Sequence, residues 1–251
     1  MAYLKYWLLC EDKYSLQSPF VFKTYLGLRD FLKARKTKDL DIEEKRKKLL
    51  KEKTLLHIED YGAGSKKVPQ KVRELAEITR YSTSGRKFSQ LYQYFCSLTP
   101  AMQVLELGTC VGLNTIYLSR VTKGKLHSLE GSEALWKTAQ QIADSTKTNY
   151  LLGPIQETLP KLLQQLGSVD FALIDATHTY EGTMSYFIGL LPYLHKQSIL
   201  AIADIHWSKA MEKAWKEIQA CPEVSLSIDF YECGIVFFSP NHPKSKYILE
   251  F

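Results

Sequence analysis

The sequence has no run approaching the ~20 apolar residues that a membrane-spanning helix needs. Its one early apolar stretch, Tyr6-Trp7-Leu8-Leu9, is too short for a signal-peptide core and runs into Glu11-Asp12-Lys13. Cysteine is scarce and scattered. Cys10, Cys96, Cys110, Cys221 and Cys233 are odd in number and never form a C-x-x-C pair. That distribution argues against a disulfide frame or a thiolate zinc site and fits reduced thiols, so a cytoplasmic protein is expected. Internal repeats and low-complexity tracts are absent too.

Excess charge is also lacking over most of the chain. Lys and Arg outnumber Asp and Glu by 33 to 27, a formal charge of +6. The segment from Lys33 to Lys53 alone carries ten basic and five acidic residues, so the remainder is nearly neutral. A nucleic-acid binder usually needs a basic face with interleaved aromatics or a known module. A single mixed-sign segment reads instead as a solvated helix face.

What the sequence does have is enough for a sizeable core: 251 residues, 45% hydrophobic and 24% charged. This fits one large α/β domain with an appendage, or two small domains. Its character changes near residue 100. Upstream, Phe20, Phe22, Tyr25, Leu26, Leu28, Phe31 and Leu32 recur at helical spacing in a segment that Pro19 can open. Asp39 to Lys53 reads as a surface helix or helical linker, Gly62-Ala63-Gly64-Ser65 as a loop, and Val68–Ile78 and Phe88–Leu98 as two more helices.

Downstream, short β-rich runs alternate with helical segments. The strand candidates are Gln103–Leu107, Lys125–Leu129, Asn149–Leu152, Val169–Ile174 and Ser198–Ala203. Helical patterns lie between them, near Leu113–Val121, Glu133–Asp144, Thr158–Leu166 and Tyr180–Leu194, with a last one near Lys209–Ala220. Such alternation predicts parallel strands joined by right-handed crossovers. Val224–Tyr231 and Ile235–Ser239 then read as an antiparallel hairpin. The expected architecture is therefore α/β: a Rossmann-like sheet of five parallel strands plus a C-terminal antiparallel hairpin. A helical extension over residues 1–85 precedes the domain at 86–251.

The sharpest local signal is Val104-Leu105-Glu106-Leu107-Gly108-Thr109-Cys110-Val111-Gly112, an apolar strand running into a glycine-bounded turn and then a helix. Gly108 lets the backbone turn sharply and a ligand approach closely. Glu130 ends the next strand, 22 residues on, where a carboxylate can accept from both hydroxyls of a ribose. A nicotinamide-binding turn would need G-x-G-x-x-G around a pyrophosphate. Here the pattern is G-x-x-x-G, with a glutamate that would repel a pyrophosphate but suits the ammonium of a methionine moiety. The charge logic favours S-adenosylmethionine.

The Glu106-Leu107-Gly108-Thr109 run resembles the first motif of class I methyltransferases, particularly the catechol O-methyltransferase-like group, over about residues 82 to 240. Cys110 stands where many class I enzymes have a third glycine, which the catechol-type group commonly lacks. Ser18-Pro19-Phe20-Val21-Phe22 and Asp60-Tyr61-Gly62-Ala63-Gly64-Ser65 look like motifs of an N-terminal extension in uncharacterised bacterial members. The resemblance implies that Glu106 and Gly108 face the methionine end of the donor, with Thr109, Gly112 and Asp175 as further expected donor-binding residues. It puts Glu130 on the ribose, and Gly153 to Gln156 along the adenine edge.

Two strand ends are unusually polar: Asp175-Ala176-Thr177-His178 after the fourth strand and Asp204-Ile205-His206-Trp207 after the fifth. In an open parallel sheet such ends share one cleft. Four candidates for the chemistry follow: Asp175, His178, Asp204 and His206. In catechol-type enzymes, carboxylates matching Asp175 and Asp204, with an Asn directly after the second, hold a divalent metal such as Mg²⁺. Ile205 stands in place of that Asn, so His206 or His178 is expected to complete a site on Asp175 and Asp204. Without metal, a histidine serves as general base. Tyr180 and Trp207 are candidate walls for an aromatic acceptor, while His57, His127, His195 and His242 read as structural or surface residues. The expected function is methylation of a small-molecule oxygen, with the extension covering the cleft or mediating a homodimer. Nucleic-acid methylation, nicotinamide-dependent redox chemistry and non-catalytic scaffolding are the alternatives.

Overall fold

Ser18 and Pro19 begin the first long helix as their chemistry dictates. In the computed structural model the Ser18 hydroxyl accepts from the Val21 N–H, and Pro19 takes the first turn, where its missing N–H costs nothing. The structure describes residues 2–59, 61–62, 64, 70–143, 146–241 and 243–251. The N-terminal part holds α1 (Ala2–Leu9), α2 (Pro19–Ala34), α3 (Leu40–Leu49), β1 (Leu55–His57), β2 (Val72–Glu74) and α4 (Leu75–Tyr81), and α5 (Arg86–Ser97) leads into the main sheet.

Alternating elements follow: β3 (Gln103–Leu107), α6 (Leu113–Ser119), β4 (Lys125–Glu130), α7 (Glu133–Ile142), β5 (Thr148–Leu152), α8 (Ile155–Leu166), β6 (Val169–Ile174), α9 (Tyr180–Leu190) and β7 (Leu194–Ala203). The chain ends with α10 (Lys209–Ala220), β8 (Leu226–Asp229), β9 (Cys233–Phe237) and β10 (Ser245–Ile248). The main sheet runs β10-β8-β9-β7-β6-β3-β4-β5. Its β5-β4-β3-β6-β7 section is parallel, as the alternation predicts, and β9 pairs antiparallel with both β7 and β8. The chain reverses direction of travel across the sheet between β3 and β6, the switch point at which open α/β sheets bind ligands.

Every residue of β6 is buried, as befits a central strand covered on both faces. On one face, Leu91 and Phe95 of α5 join Val21, Tyr25 and Leu28 of α2 against Phe171, Ile199 and Phe237. On the other, Leu159 and Leu163 of α8, Phe187 of α9 and Trp215 of α10 cover Leu105, Ala172 and Leu200. Thus α2, from the N-terminal segment, is part of the sheet's own core.

Three expectations need correction. The helix expected over 68–78 begins only at Leu75, and Val68 lies outside the described residues. Val72–Glu74 pairs instead with β1, and a reciprocal capping box between Glu74 and Glu77 fixes the helix start there. Helical spacing of Val72, Leu75 and Ile78 concealed a strand whose existence depends on a distant partner. The second departure is β10, which adds to the sheet parallel to β8; only four residues long and polar at its start, it carried no periodic signal. Third, α3 is not simply solvated. Glu44, Lys45, Lys47 and Lys48 face water, but Ile42 and Leu49 are buried and Arg46 donates to the Thr83 hydroxyl and the Ser84 carbonyl, both at 2.8 Å. Asp144, expected to end α7, and His242 lie outside the described residues. No helix among the described residues is long and apolar enough to cross a membrane.

Candidate active site

The carboxyl ends of β3, β4, β6 and β7 open into one cavity of about 460 Å³. At its floor is the turn after β3. Gly108 has φ 100°, and a Cβ there would lie 2.2 Å from the Asp175 carbonyl oxygen, so only glycine lets the two strand ends approach. The Asp175 N–H reaches back to the Leu107 carbonyl at 2.9 Å and locks this contact. Cys110, Thr177, His178 and Asp204 hold left-handed backbone at φ 51°, 60°, 46° and 55°. Such conformations are unfavourable for non-glycine residues and cluster where a site must present groups in fixed directions.

Glu130 lines the cavity at the end of β4. Its oxygens accept from the Cys110 and Ser132 backbone N–H groups at 2.8 and 2.9 Å, which fixes the carboxylate at the strand tip. Gly108, Thr109 and Gln156 line the same cavity. Three expected donor-site residues do not. Gly112 caps α6 in left-handed conformation against Ala139 and Ala143. Gly153 donates to the Glu130 carbonyl and supports that strand end from behind.

Glu106 is the larger correction. Its side chain is fully buried beneath the floor, accepting from the Thr115 and Ser128 hydroxyls at 2.6 and 2.5 Å. Ser128 in turn contacts the Thr109 hydroxyl at 2.6 Å, so Glu106 reaches the cavity only through that relay. Burial pushes its pKa up to about 8. Its Oε1 meets no hydrogen-bond partner among the described residues.

Asp175 and Asp204 both line the cavity, their carboxylates close together. Asp175 Oδ2 accepts from Asn114 Nδ2 at 3.3 Å and from the Ser84 hydroxyl at 3.5 Å, and Asn114 is itself held by Ser89 at 2.6 Å. Burial raises the Asp175 pKa to about 6, with Asp204 adding to the effect and His178 opposing it. His178 Nε2 sits 3.8 Å from Asp175 Oδ1 and 3.6 Å from Asp204 Oδ2. These three residues form the one group among the described residues able to hold a metal ion, their donor atoms within 4.8 Å of one another.

His206 is not part of it. Its Nε2 is 2.8 Å from Asp229 Oδ2, and its ring stacks on Tyr231. Burial opposes its charge, but the Asp229 and Glu212 carboxylates outweigh burial and hold its pKa above the ordinary value. Ile205 is fully buried in the core, so the position expected to bear an Asn presents nothing to the cavity. Trp207 lines the cavity, whereas Tyr180 bonds Glu217 away from it. His57, His127 and His195 are likewise outside; His195 pairs with Asp170 at 2.9 Å.

Sequence reasoning missed several lining residues: Ser84, Phe88, Tyr92, Asn114 and Glu232, and the loop residues Ile58, Tyr61 and Gly62. Asn114, two residues past Gly112 at the start of α6, is the one with a usable local signal. The others reach the cavity through pairings that only the folded chain defines.

Residues 105–205 match the family model described as a methyltransferase domain. No curated protein matches the chain by sequence. Among solved structures, the O-methyltransferase from Bacillus cereus in complex with SAH is similar at 18% identity, over 62% of this chain and 83% of that one, with a TM-score of 0.52. The O-methyltransferase TomG from Streptomyces achromogenes, involved in tomaymycin synthesis and solved with SAM, is 15% identical over 63% and 82%, with a TM-score of 0.53. The SAH-bound methyltransferase PaMTH1 from Podospora anserina is 16% identical over 63% and 80%, also at 0.53. At these identities the likeness establishes the fold alone: a Rossmann-like sheet shared with these structures, preceded here by additional N-terminal structure.

Proposed function

We propose that this chain, with its methyltransferase domain, transfers the methyl group of S-adenosylmethionine to an oxygen of a small-molecule acceptor. The observation that carries this reading is the junction of two half-sites in one cavity. The Gly108–Thr109 turn and Glu130 form one half, and Asp175, His178 and Asp204 form the other. Glu130 is placed to accept from the ribose hydroxyls, and Gln156 to border the adenine. With Glu106 below the floor, Asp175, whose backbone packs on Gly108 and which lines the cavity, is the acid assigned to the methionine end.

The acceptor half fits a divalent metal. Two carboxylates and an imidazole converge, and mixed oxygen and nitrogen coordination suits several divalent ions. Asp175, His178 and Asp204 would hold the ion, and His178 takes the part that Ile205 cannot play. When bound, the ion would supply a lowered pKa and a fixed orientation for the acceptor hydroxyl. Asn114 and Ser84 keep the Asp175 carboxylate aimed into the cavity. Trp207, Phe88 and Tyr92 give the acceptor side an aromatic wall. The main catalytic effect of these residues is to hold donor and acceptor in line.

The test is transfer of labelled methyl from S-adenosylmethionine to a set of catechols and simple phenols, with Mg²⁺ or with chelator. Asp204→Asn is expected to lower transfer at least about a hundredfold while leaving S-adenosylhomocysteine binding nearly unchanged. Undiminished transfer by this variant would remove Asp204 from the site. Donor binding with no transfer to any hydroxyl, in either condition, would favour a scaffold that keeps the pocket without turnover.

A further inference from the structure

The donor half of the cavity is roofed by residues far outside the matched domain. Tyr61 and Gly62, in the segment between β1 and β2, both line it. The Tyr61 ring presses on the backbone beside Glu130: a Cβ at Gly131 would lie 2.6 Å from Tyr61 Cδ2. The next residue presses on the opposite side of the mouth, since a Cβ at Gly62 would lie 2.4 Å from Thr177 Cα and 2.6 Å from its carbonyl oxygen. Gly131 follows β4 and Thr177 follows β6, the two strands that flank β3. Two consecutive residues therefore bridge the tips of both flanking strands, over the Gly108–Thr109 turn. The stem of this bridge is anchored. Ile58 is buried with Ile78, Leu113 and Leu135, and its N–H donates to the Lys71 carbonyl at 2.7 Å.

We propose that Tyr61 and Gly62 form the lid wall of the donor pocket, with the Tyr61 ring stacking on the adenosyl group. This rests on the reading of the cavity as an S-adenosylmethionine site. The cavity offers a flat ligand an apolar bed in Leu135 and Ile155, and Tyr61 supplies an aromatic face beside the ribose carboxylate of Glu130. Every purine has a π-face to stack, so such a wall adds affinity without needing further hydrogen bonds. The N-terminal segment is thereby a working part of the donor site.

Calorimetric titration of the full-length protein with S-adenosylhomocysteine and with adenosine tests this. Tyr61→Ala is expected to weaken both about tenfold, Tyr61→Phe to keep near-normal affinity, and free methionine to be indifferent to either change. Gly62→Ala, which must lift the loop off Thr177, is expected to weaken S-adenosylhomocysteine similarly. The double variant should lose little more than either single one, because both disturb one contact. Wild-type affinity in both Tyr61→Ala and Gly62→Ala would overturn the lid wall and leave the donor site standing. Failure of the unaltered protein to bind either adenosyl ligand would overturn the donor site and this inference together.

Discussion

Glu106 and the two site histidines separate what single residues reveal from what they conceal. Glu106 looked like a ligand-facing acid because it stands two residues before the turn, but strand alternation sends its side chain under the floor. In the folded protein its carboxyl stays protonated up to about 8, against an ordinary value of 4.5. The native state therefore binds more protons than the unfolded chain between those pH values, and stability falls as pH rises through that window. Glu106→Gln keeps an acceptor for Thr115 and Ser128 and removes the buried charge. Its melting temperature should match the parent near pH 5 and exceed it progressively toward pH 8.5; a gap that stays constant with pH would contradict the assignment. The histidines divide just as sharply. His178→Ala should abolish saturable Mn²⁺ or Mg²⁺ binding, while His206→Ala should leave metal affinity unchanged and cost stability by leaving the buried Asp229 carboxylate with Trp215 but without its imidazole partner. Asp175 and Asp204 were legible as the polar ends of apolar strands. Which histidine joins them was not, because the answer depends on left-handed turns at Thr177, His178 and Asp204 that no periodicity encodes.

At the scale of elements, parallel strands and crossover helices were readable from apolar runs and their spacing, whereas short elements defined by a distant partner were not. β2 needs β1, and β10 needs β8. Both lack enough residues to show a period of their own. The charged helix α3 was read from its exposed side alone. Its buried side ties the N-terminal segment to the acceptor half of the site, since Arg46 holds the Thr83–Ser84 turn and Ser84 touches Asp175. Arg46→Met removes both anchors and leaves partly buried acceptors unsatisfied, at a cost of about 1–3 kcal/mol. Steady-state kinetics should find kcat several-fold lower with S-adenosylhomocysteine affinity almost unaltered. Equal losses in both would place Arg46's influence on the donor half instead.

For the whole molecule, the N-terminal segment and the matched domain share a core. Val21, Tyr25 and Leu28 of α2 are buried in one cluster with Phe171 and Ile199 of the matched region, and the Tyr94 hydroxyl of α5 donates to the Thr24 carbonyl. Calorimetric unfolding is accordingly expected to show one cooperative transition rather than two, with the calorimetric and van't Hoff enthalpies in agreement. A separate low-temperature transition for residues 1–85 would show the segment to be an independent unit. Thermal unfolding with added ligand reads directly what the cavity holds. S-adenosylmethionine or S-adenosylhomocysteine at a hundred times its dissociation constant should stabilise the protein by about 2.7 kcal/mol, a rise of roughly 5–11 °C for a chain of this size. NADH should give no shift. A rise with NADH, or none with either adenosyl ligand, would contradict the account.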